Sequence, residues 1–206
     1  MRKTPLVCDE YYHVYNRGVD KRIVFQDSLD IGRFLQDIQE FNTIEPIGSI
    51  FENSFSKDKS INDKLVEIVC YCLNPNHFHL LLKQVSENGI SEFMKRLSGG
   101  YTLYFNNRNK RTGALFQGKF KSSHIDSNTY LLHVSAYINL NNHLRNGVPS
   151  NSKSSWEEYV DAKVSRGCKT EIILDQYKNR GEYKKFAMSS LEDIVRRKEL
   201  ERNLEF

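Results

Sequence analysis

Two histidines separated by one residue, His77 and His79, are the part of the sequence best suited to chemistry. They follow the turn sequence Asn74-Pro75-Asn76 and lead into an apolar run, so we expect them on a β-strand. Side chains two residues apart on a strand point to the same face, which places the two imidazoles side by side. Paired imidazoles often begin a divalent-metal site, and such metals commonly act on phosphates. A pair of hydrogen-bonded core histidines is the plainer interpretation.

A predicted helix over about residues 129–140 carries a second group of polar side chains. Tyr130, His133, Tyr137 and Asn141 are spaced three or four residues apart, so they form one stripe along the helix. Apolar residues on another side would pack the helix against a sheet. A tyrosine in such a helix is commonly a surface residue whose hydroxyl reaches water, so the stripe alone does not establish catalysis.

The elements that must position these side chains form a β-α-β-β-α-β series followed by an added helix. Hydrophobic spacing and turn residues place them at about 11–17, 28–41, 68–73, 78–82, 91–105, 115–125 and 129–140. We expect the Gly99-Gly100 pair to bend or interrupt the second helix. The series is the ferredoxin-like (RRM-like) arrangement, an antiparallel sheet with two helices on one face. The predicted fold class is therefore α+β.

The chain divides into a main domain and a C-terminal extension. Residues 1–149 hold the predicted sheet, interrupted by a polar, patternless insertion at about residues 45–66. Residues 150–206 form a helical extension, with helices predicted at about 156–160, 171–178 and 182–204.

The composition is that of a globular protein: 206 residues, 39% hydrophobic and 12% aromatic. No stretch is apolar enough to span a membrane, and the first residues lack the apolar core of a signal peptide. Cys8, Cys70, Cys72 and Cys168 include no C-x-x-C pair, and Cys70 and Cys72 should be buried thiols on one strand face. We therefore expect a cytoplasmic protein without a membrane partner. The net charge of +4 permits a nucleic-acid partner without requiring one.

Four blocks of the sequence, in order along the chain, resemble the HUH single-tyrosine transposases. Residues 74–80 (NPNHFHL) resemble the HUH motif, in which two histidines bracket a bulky apolar residue, and residues 136–141 (AYINLN) resemble the tyrosine helix. Residues 12–18 are similar to the first strand of that family, and residues 111–121 to the segment that leads into its last strand. Within the family, the REP-associated tyrosine transposases are the branch that this chain resembles.

The resemblance implies an enzyme, a metal-dependent single-stranded DNA endonuclease and strand transferase acting on hairpin-bearing DNA. Tyr137 would be the nucleophile and would form a 5′-phosphotyrosine intermediate that a 3′-hydroxyl later reverses, without ATP. His77, His79 and, four residues beyond Tyr137, Asn141 would hold Mg²⁺ or Mn²⁺, and no small-molecule cofactor is implied. Residues 1–149 would be the catalytic domain. Related enzymes place the tyrosine over their own histidines or over those of a partner, so a homodimer is one of the two expected arrangements.

A group of basic residues is interleaved with aromatic ones and is the candidate DNA-binding surface. Basic groups contact phosphates, and aromatic rings stack on unpaired bases. As a pattern alone, the same residues equally describe a core with a solvated charged rim. The candidate DNA-binding residues are Arg17, Arg108, Lys110, Arg111, Lys119 and Lys121.

Three other functions compete with the enzyme. A domesticated, non-catalytic nucleic-acid-binding protein on the same fold would keep the basic surface but would not need His77, His79, Tyr137 and Asn141 together. A metal-free phosphoesterase would need a pair of H-x-[ST] motifs, and the sequence has no such pair. A structural interaction protein would explain none of the four blocks.

Overall fold

An antiparallel β-sheet organises the computed structural model, which describes residues 5–48, 50, 63–143 and 148–204. Its strands are β1 (Tyr11–Arg17), β2 (Val66–Asn74), β3 (His77–Gln84), β4 (Lys121–Ile125) and β5 (Lys153–Ser154). In the described residues the strand order is β4-β1-β3-β2-β5, so β3, which carries both histidines, lies in the middle of the sheet. A central strand has neighbours on both sides, which fixes the position of its side chains.

Helices cover both faces of this sheet. They are α1 (Ser28–Glu40), α2 (Gly89–Arg108), α3 (Asn128–Asn139), α4 (Trp156–Val160), α5 (Glu171–Leu174) and α6 (Arg180–Leu204). Asp27 caps α1 by accepting hydrogen bonds from two backbone amides, and Ser127 caps α3 in the same way with one. The predicted α+β class is confirmed.

Two separate cores form because α1 and α2 pack on one face while α3 and α6 cover the other. Phe34 of α1 and Phe93 of α2 belong to the first core, whereas Ile138 of α3 and Tyr183 of α6 belong to the second. Strand β2 contributes to both cores. A register shift between Ile68 and residue 70 marks a β-bulge, which changes the alternation of its side chains between the two faces.

Cys70 and Cys72 face the second core and are fully buried, as predicted. Burial raises the pKa of the Cys72 thiol to about 12, so it is inert at neutral pH. These residues therefore serve packing under the tyrosine-bearing helix.

Two details differ from the prediction. Helix α2 runs without interruption through Gly99 and Gly100. A Cβ on Gly100 would lie 2.5 Å from Phe41, so this glycine permits close packing between α2 and the residue that follows α1. Strand β4 begins at Lys121 rather than near residue 115, because Gly118 has a φ of +66° and turns the backbone before the ladder starts. Most of the predicted polar insertion at 45–66 lies outside the described residues.

The C-terminal residues are joined closely to the rest of the chain. Strand β5 pairs with β2, and the fully buried Tyr183 of α6 contacts α3 through Ser135 and Asn139, at 3.2 and 3.0 Å. Helix α3 is thus held between the sheet and α6. Among the described residues, no helix combines the length and apolar character that a membrane span requires.

Candidate active site

The turn between β2 and β3 is anchored to the chain that follows β1. The carbonyl of Pro75 accepts hydrogen bonds from the amides of Val24 (2.7 Å) and Phe25 (3.0 Å), and the carbonyl of Asn76 accepts one from Gly18 (2.9 Å). Because these bonds hold the turn from outside the hairpin, the first residue of β3 has a fixed position.

His77 and His79 lie on the face of the sheet that α3 covers, with ring centroids 5.1 Å apart and planes nearly perpendicular. His77 Nδ1 lies 2.7 Å from Asn76 Oδ1, and His79 Nδ1 lies 2.8 Å from His13 Nε2. Since an amide oxygen only accepts, His77 carries its hydrogen on Nδ1 and its lone pair on Nε2. The turn residue Asn76 therefore orients His77 as well as closing the hairpin.

Asn74 connects His77 to Asn141. Its Nδ2 donates to Asn141 Oδ1 at 2.8 Å and lies 3.3 Å from His77 Nε2. One donor thus touches the lone pairs of two predicted metal ligands, so these lone pairs point to a common place. Asn141 belongs to a short 3-10 turn, Asn141–His143, rather than to α3, which ends at Asn139.

Tyr137 lies beside the histidines of its own chain. Its ring centroid is 5.7 Å from that of His79 and 6.1 Å from that of His13, in an edge-on arrangement. Burial raises the pKa of the Tyr137 phenol above its usual value, while a hydrogen bond with the Asn141 side chain acts in the opposite direction. A nucleophile here therefore needs help in losing its proton, and one chain alone brings together all the predicted catalytic side chains.

A cavity of about 410 Å³ opens over these side chains. Arg17 and Lys121 supply positive charge to it, and among the described residues no carboxylate lines it. Its lining consists of Tyr15, Asn16, Arg17, Asn74, His77, His79, Gln117, Lys121, Tyr137 and Asn141. Such a cavity favours an anionic ligand.

The remaining predicted DNA-binding residues are two exposed lysines and two arginines that contact other protein groups. Lys119 lines a second groove, of about 980 Å³, next to the cavity, and Lys121 borders both. Lys110 is exposed beyond the end of α2. Arg108 instead pairs with the carboxylates of Asp27 and Asp30, each at 2.5 Å, and Arg111 donates to the Asn106 side chain and the Ala114 carbonyl. The guanidinium groups of Arg108 and Arg111 thus already have protein partners.

His77, His79 and Asn141 offer the kinds of ligand atom that a divalent cation binds. In the described parts of the chain, no three His, Cys, Asp or Glu side chains are grouped so as to hold a metal. Asn141 Oδ1, which shares the Asn74 donor with His77 Nε2, is the oxygen that would join His77 and His79 in such a centre. Two imidazole nitrogens and one carbonyl oxygen are neutral ligands that intermediate ions such as Mn²⁺ accept, and substrate phosphate oxygens commonly complete such a shell.

Besides the role of Asn76, sequence reasoning missed the contacts that Asn74 and His13 make with predicted ligands. Asn74 pairs with His77 across the β2–β3 hairpin. The predicted hairpin therefore already indicates that these two residues are neighbours. His13 belongs to β1, and only the pairing of β1 with β3, which sets Tyr15 opposite His79, brings it to the site. Burial lowers the pKa of His13 to about 4, so its ring is neutral at physiological pH.

The structure brings together His77, His79, Tyr137 and Asn141, the residues that the resemblance to single-tyrosine transposases singled out. A family model described as IS200-like transposase matches residues 52–141. A solved structure of a REP-associated tyrosine transposase bound to a REP hairpin has the same fold, with a TM-score of 0.52 and 12% sequence identity over 81% of this chain and 89% of that one. Comparison with curated proteins gave no match. The resemblance to the tyrosine transposases is confirmed.

Proposed function

We propose that the protein is a metal-dependent endonuclease and strand transferase for hairpin-bearing single-stranded DNA. The observation that carries the proposal is the convergence of Tyr137, His77, His79 and Asn141 under a positively charged cavity. One chain holds the complete set, so this chemistry does not require a homodimer. A cytoplasmic location stays a prediction, consistent with the free cysteines of the described residues.

Tyr137 Oη attacks the scissile phosphorus in this proposal. A bond forms between the phenol oxygen and the phosphorus, the bond to the 3′-oxygen breaks, the phenol proton leaves, and the 3′-oxygen takes up a proton. The product is a 5′-phosphotyrosine and a free 3′-hydroxyl. The attack of a 3′-hydroxyl from another strand reverses these changes, so the covalent bond conserves the energy and no nucleotide is consumed.

His77, His79 and Asn141 would hold Mg²⁺ or Mn²⁺ beside the nucleophile. When bound, the ion supplies Lewis-acid stabilisation of the charge that develops on the phosphate, and its charge favours the ionised phenol. Arg17 and Lys121, which line the cavity, neutralise neighbouring phosphates and orient the strand. The solved structure of similar fold is bound to a REP hairpin, which supports the choice of a hairpin-bearing substrate.

Covalent capture tests the proposal. Purified protein with Mn²⁺ is incubated with a pool of hairpin-bearing single strands whose flanks are randomised. We expect strands labelled at the 3′ end to become attached to the protein through denaturing electrophoresis, and strands labelled at the 5′ end to be released with a 3′-hydroxyl that a polymerase extends. A protein that binds the pool but never becomes attached, with or without metal, would be the non-catalytic DNA-binding protein instead.

Lys121→Ala is expected to weaken DNA binding evenly across sequences. Removal of one phosphate contact should lower the slope of log affinity against log salt by about one. Lys163→Ala is a matched control, since Lys163 is exposed and lines neither the cavity nor the neighbouring groove. Fluorescence anisotropy at several salt concentrations measures both variants, and an unchanged slope for Lys121→Ala would remove this residue from the DNA-binding surface.

A further inference from the structure

His13 makes a direct hydrogen bond to one of the proposed metal ligands. His13 Nε2 lies 2.8 Å from His79 Nδ1, and the two ring centroids are 5.0 Å apart with an angle of 29° between the planes. His79 is only 8% exposed, and β1 and β3 are adjacent strands, so the contact is fixed by the sheet. The contact therefore belongs to the fold rather than to a mobile surface.

The hydrogen bond between two imidazoles constrains which nitrogen of His79 carries hydrogen. One nitrogen must donate and the other must accept. If His79 Nδ1 donates, its lone pair lies on Nε2, the same tautomer that Asn76 imposes on His77. If His13 donates instead, His79 carries its hydrogen on Nε2 and that nitrogen has no lone pair for a cation.

We propose that His13 is a positioning residue that accepts from His79 Nδ1 and thereby presents His79 Nε2 to the divalent cation. The part of this inference that concerns the cation rests on the proposed function. Metal-binding histidines generally donate their second ring nitrogen to such a partner, which fixes both the tautomer and the ring orientation. Asn76 supplies that partner for His77, and His13 supplies it for His79.

The tautomer of His79 is measurable without metal. Long-range ¹H–¹⁵N spectra of protein labelled at its histidines distinguish hydrogen on Nδ1 from hydrogen on Nε2. We expect His79 to carry hydrogen on Nδ1 in the wild type and in His13→Gln, whose amide oxygen still accepts, and to gain the Nε2 form in His13→Leu. The Nε2 form of His79 in the wild type would overturn the proposal.

Mn²⁺ affinity provides the second measurement, by calorimetry on the full chain. We expect His13→Leu to lose about 10- to 100-fold in affinity, and His13→Gln to bind more tightly than His13→Leu. His124→Leu is the control, since His124 contacts Glu10 and Tyr12 on the opposite face of the sheet and should keep wild-type affinity.

The outcomes separate this inference from the proposed function. A wild type that binds no Mn²⁺ would contradict the metal-dependent function itself. A wild type that binds Mn²⁺ while His13→Leu binds it equally well would overturn only the positioning role. If His13→Leu does not fold, as judged by thermal denaturation, His13→Gln provides the test. A loss of Mn²⁺ affinity in His13→Gln equal to the loss in a His79→Ala variant would overturn the proposal.

Discussion

Replacement of Tyr137 by phenylalanine is expected to abolish covalent attachment to DNA, with a loss of at least about 10³-fold. The phenol oxygen is the atom that would form the bond to phosphorus, and phenylalanine removes that atom while keeping the ring. The ring lies edge-on to His79 and His13, so the site should retain its packing. The measurement is the fraction of 3′-labelled hairpin strand that remains attached to the protein after denaturation.

Tyr130→Phe is the matched control for this prediction. Tyr130 lies on the same helix, two turns before Tyr137, but its side chain is 40% exposed and does not line the cavity. We expect Tyr130→Phe to form the adduct at the wild-type rate, and both variants to bind hairpin DNA with similar affinity. An adduct that persists in Tyr137→Phe would assign the nucleophile to another residue.

Much of the candidate site follows from local sequence rules. His77 and His79 share a face because a strand has a period of two residues, and the turn at Pro75 and Asn76 predicts where that strand begins. The spacing of Tyr137 and Asn141 predicts that they lie near each other, and their side chains are hydrogen-bonded even though α3 ends at Asn139. These features depend on residues close together in the chain.

The contacts that orient the ligands depend instead on pairing between distant segments. His13 lies 66 positions before His79, and nothing in the sequence around either residue predicts that β1 pairs with β3 in this register. The neighbours of Arg108 in the sequence group it with the DNA-binding residues, whereas in the fold it pairs with Asp27 and Asp30. Registers and long-range ion pairs are properties of the assembled fold, which local patterns do not encode.

The packing of α6 on α3 shows the same limit. The charged residues of α6 indicate a solvated face but do not say what its other face contacts, and there Tyr183 is fully buried and contacts Ser135 and Asn139. Ser155 Oγ also donates to Asn139 Oδ1, at 2.6 Å. The C-terminal extension thus packs against the helix that carries Tyr137. The position of the proposed nucleophile therefore depends in part on the packing of residues after 150.

His77→Ala and His79→Ala are each expected to lower the rate of DNA cleavage by about 100-fold or more, while DNA binding changes little. Each substitution removes one imidazole from the proposed metal site and leaves Arg17 and Lys121 to contact phosphates. The measurement is the cleavage rate as a function of Mn²⁺ concentration, together with anisotropy on the same hairpin strand.

A higher Mn²⁺ concentration should restore part of the rate in both histidine variants, because a weakened site still fills by mass action. His124→Ala supplies the control, since it removes an imidazole from the opposite face of the sheet, where it contacts Glu10, and should leave both measurements unchanged. Loss of DNA binding in His77→Ala or His79→Ala, in proportion to the loss of cleavage, would place these histidines in substrate recognition. Cleavage at the wild-type rate in either histidine variant would contradict the metal site. One imidazole and Asn141 would then support cleavage without the second imidazole that β3 places beside the first.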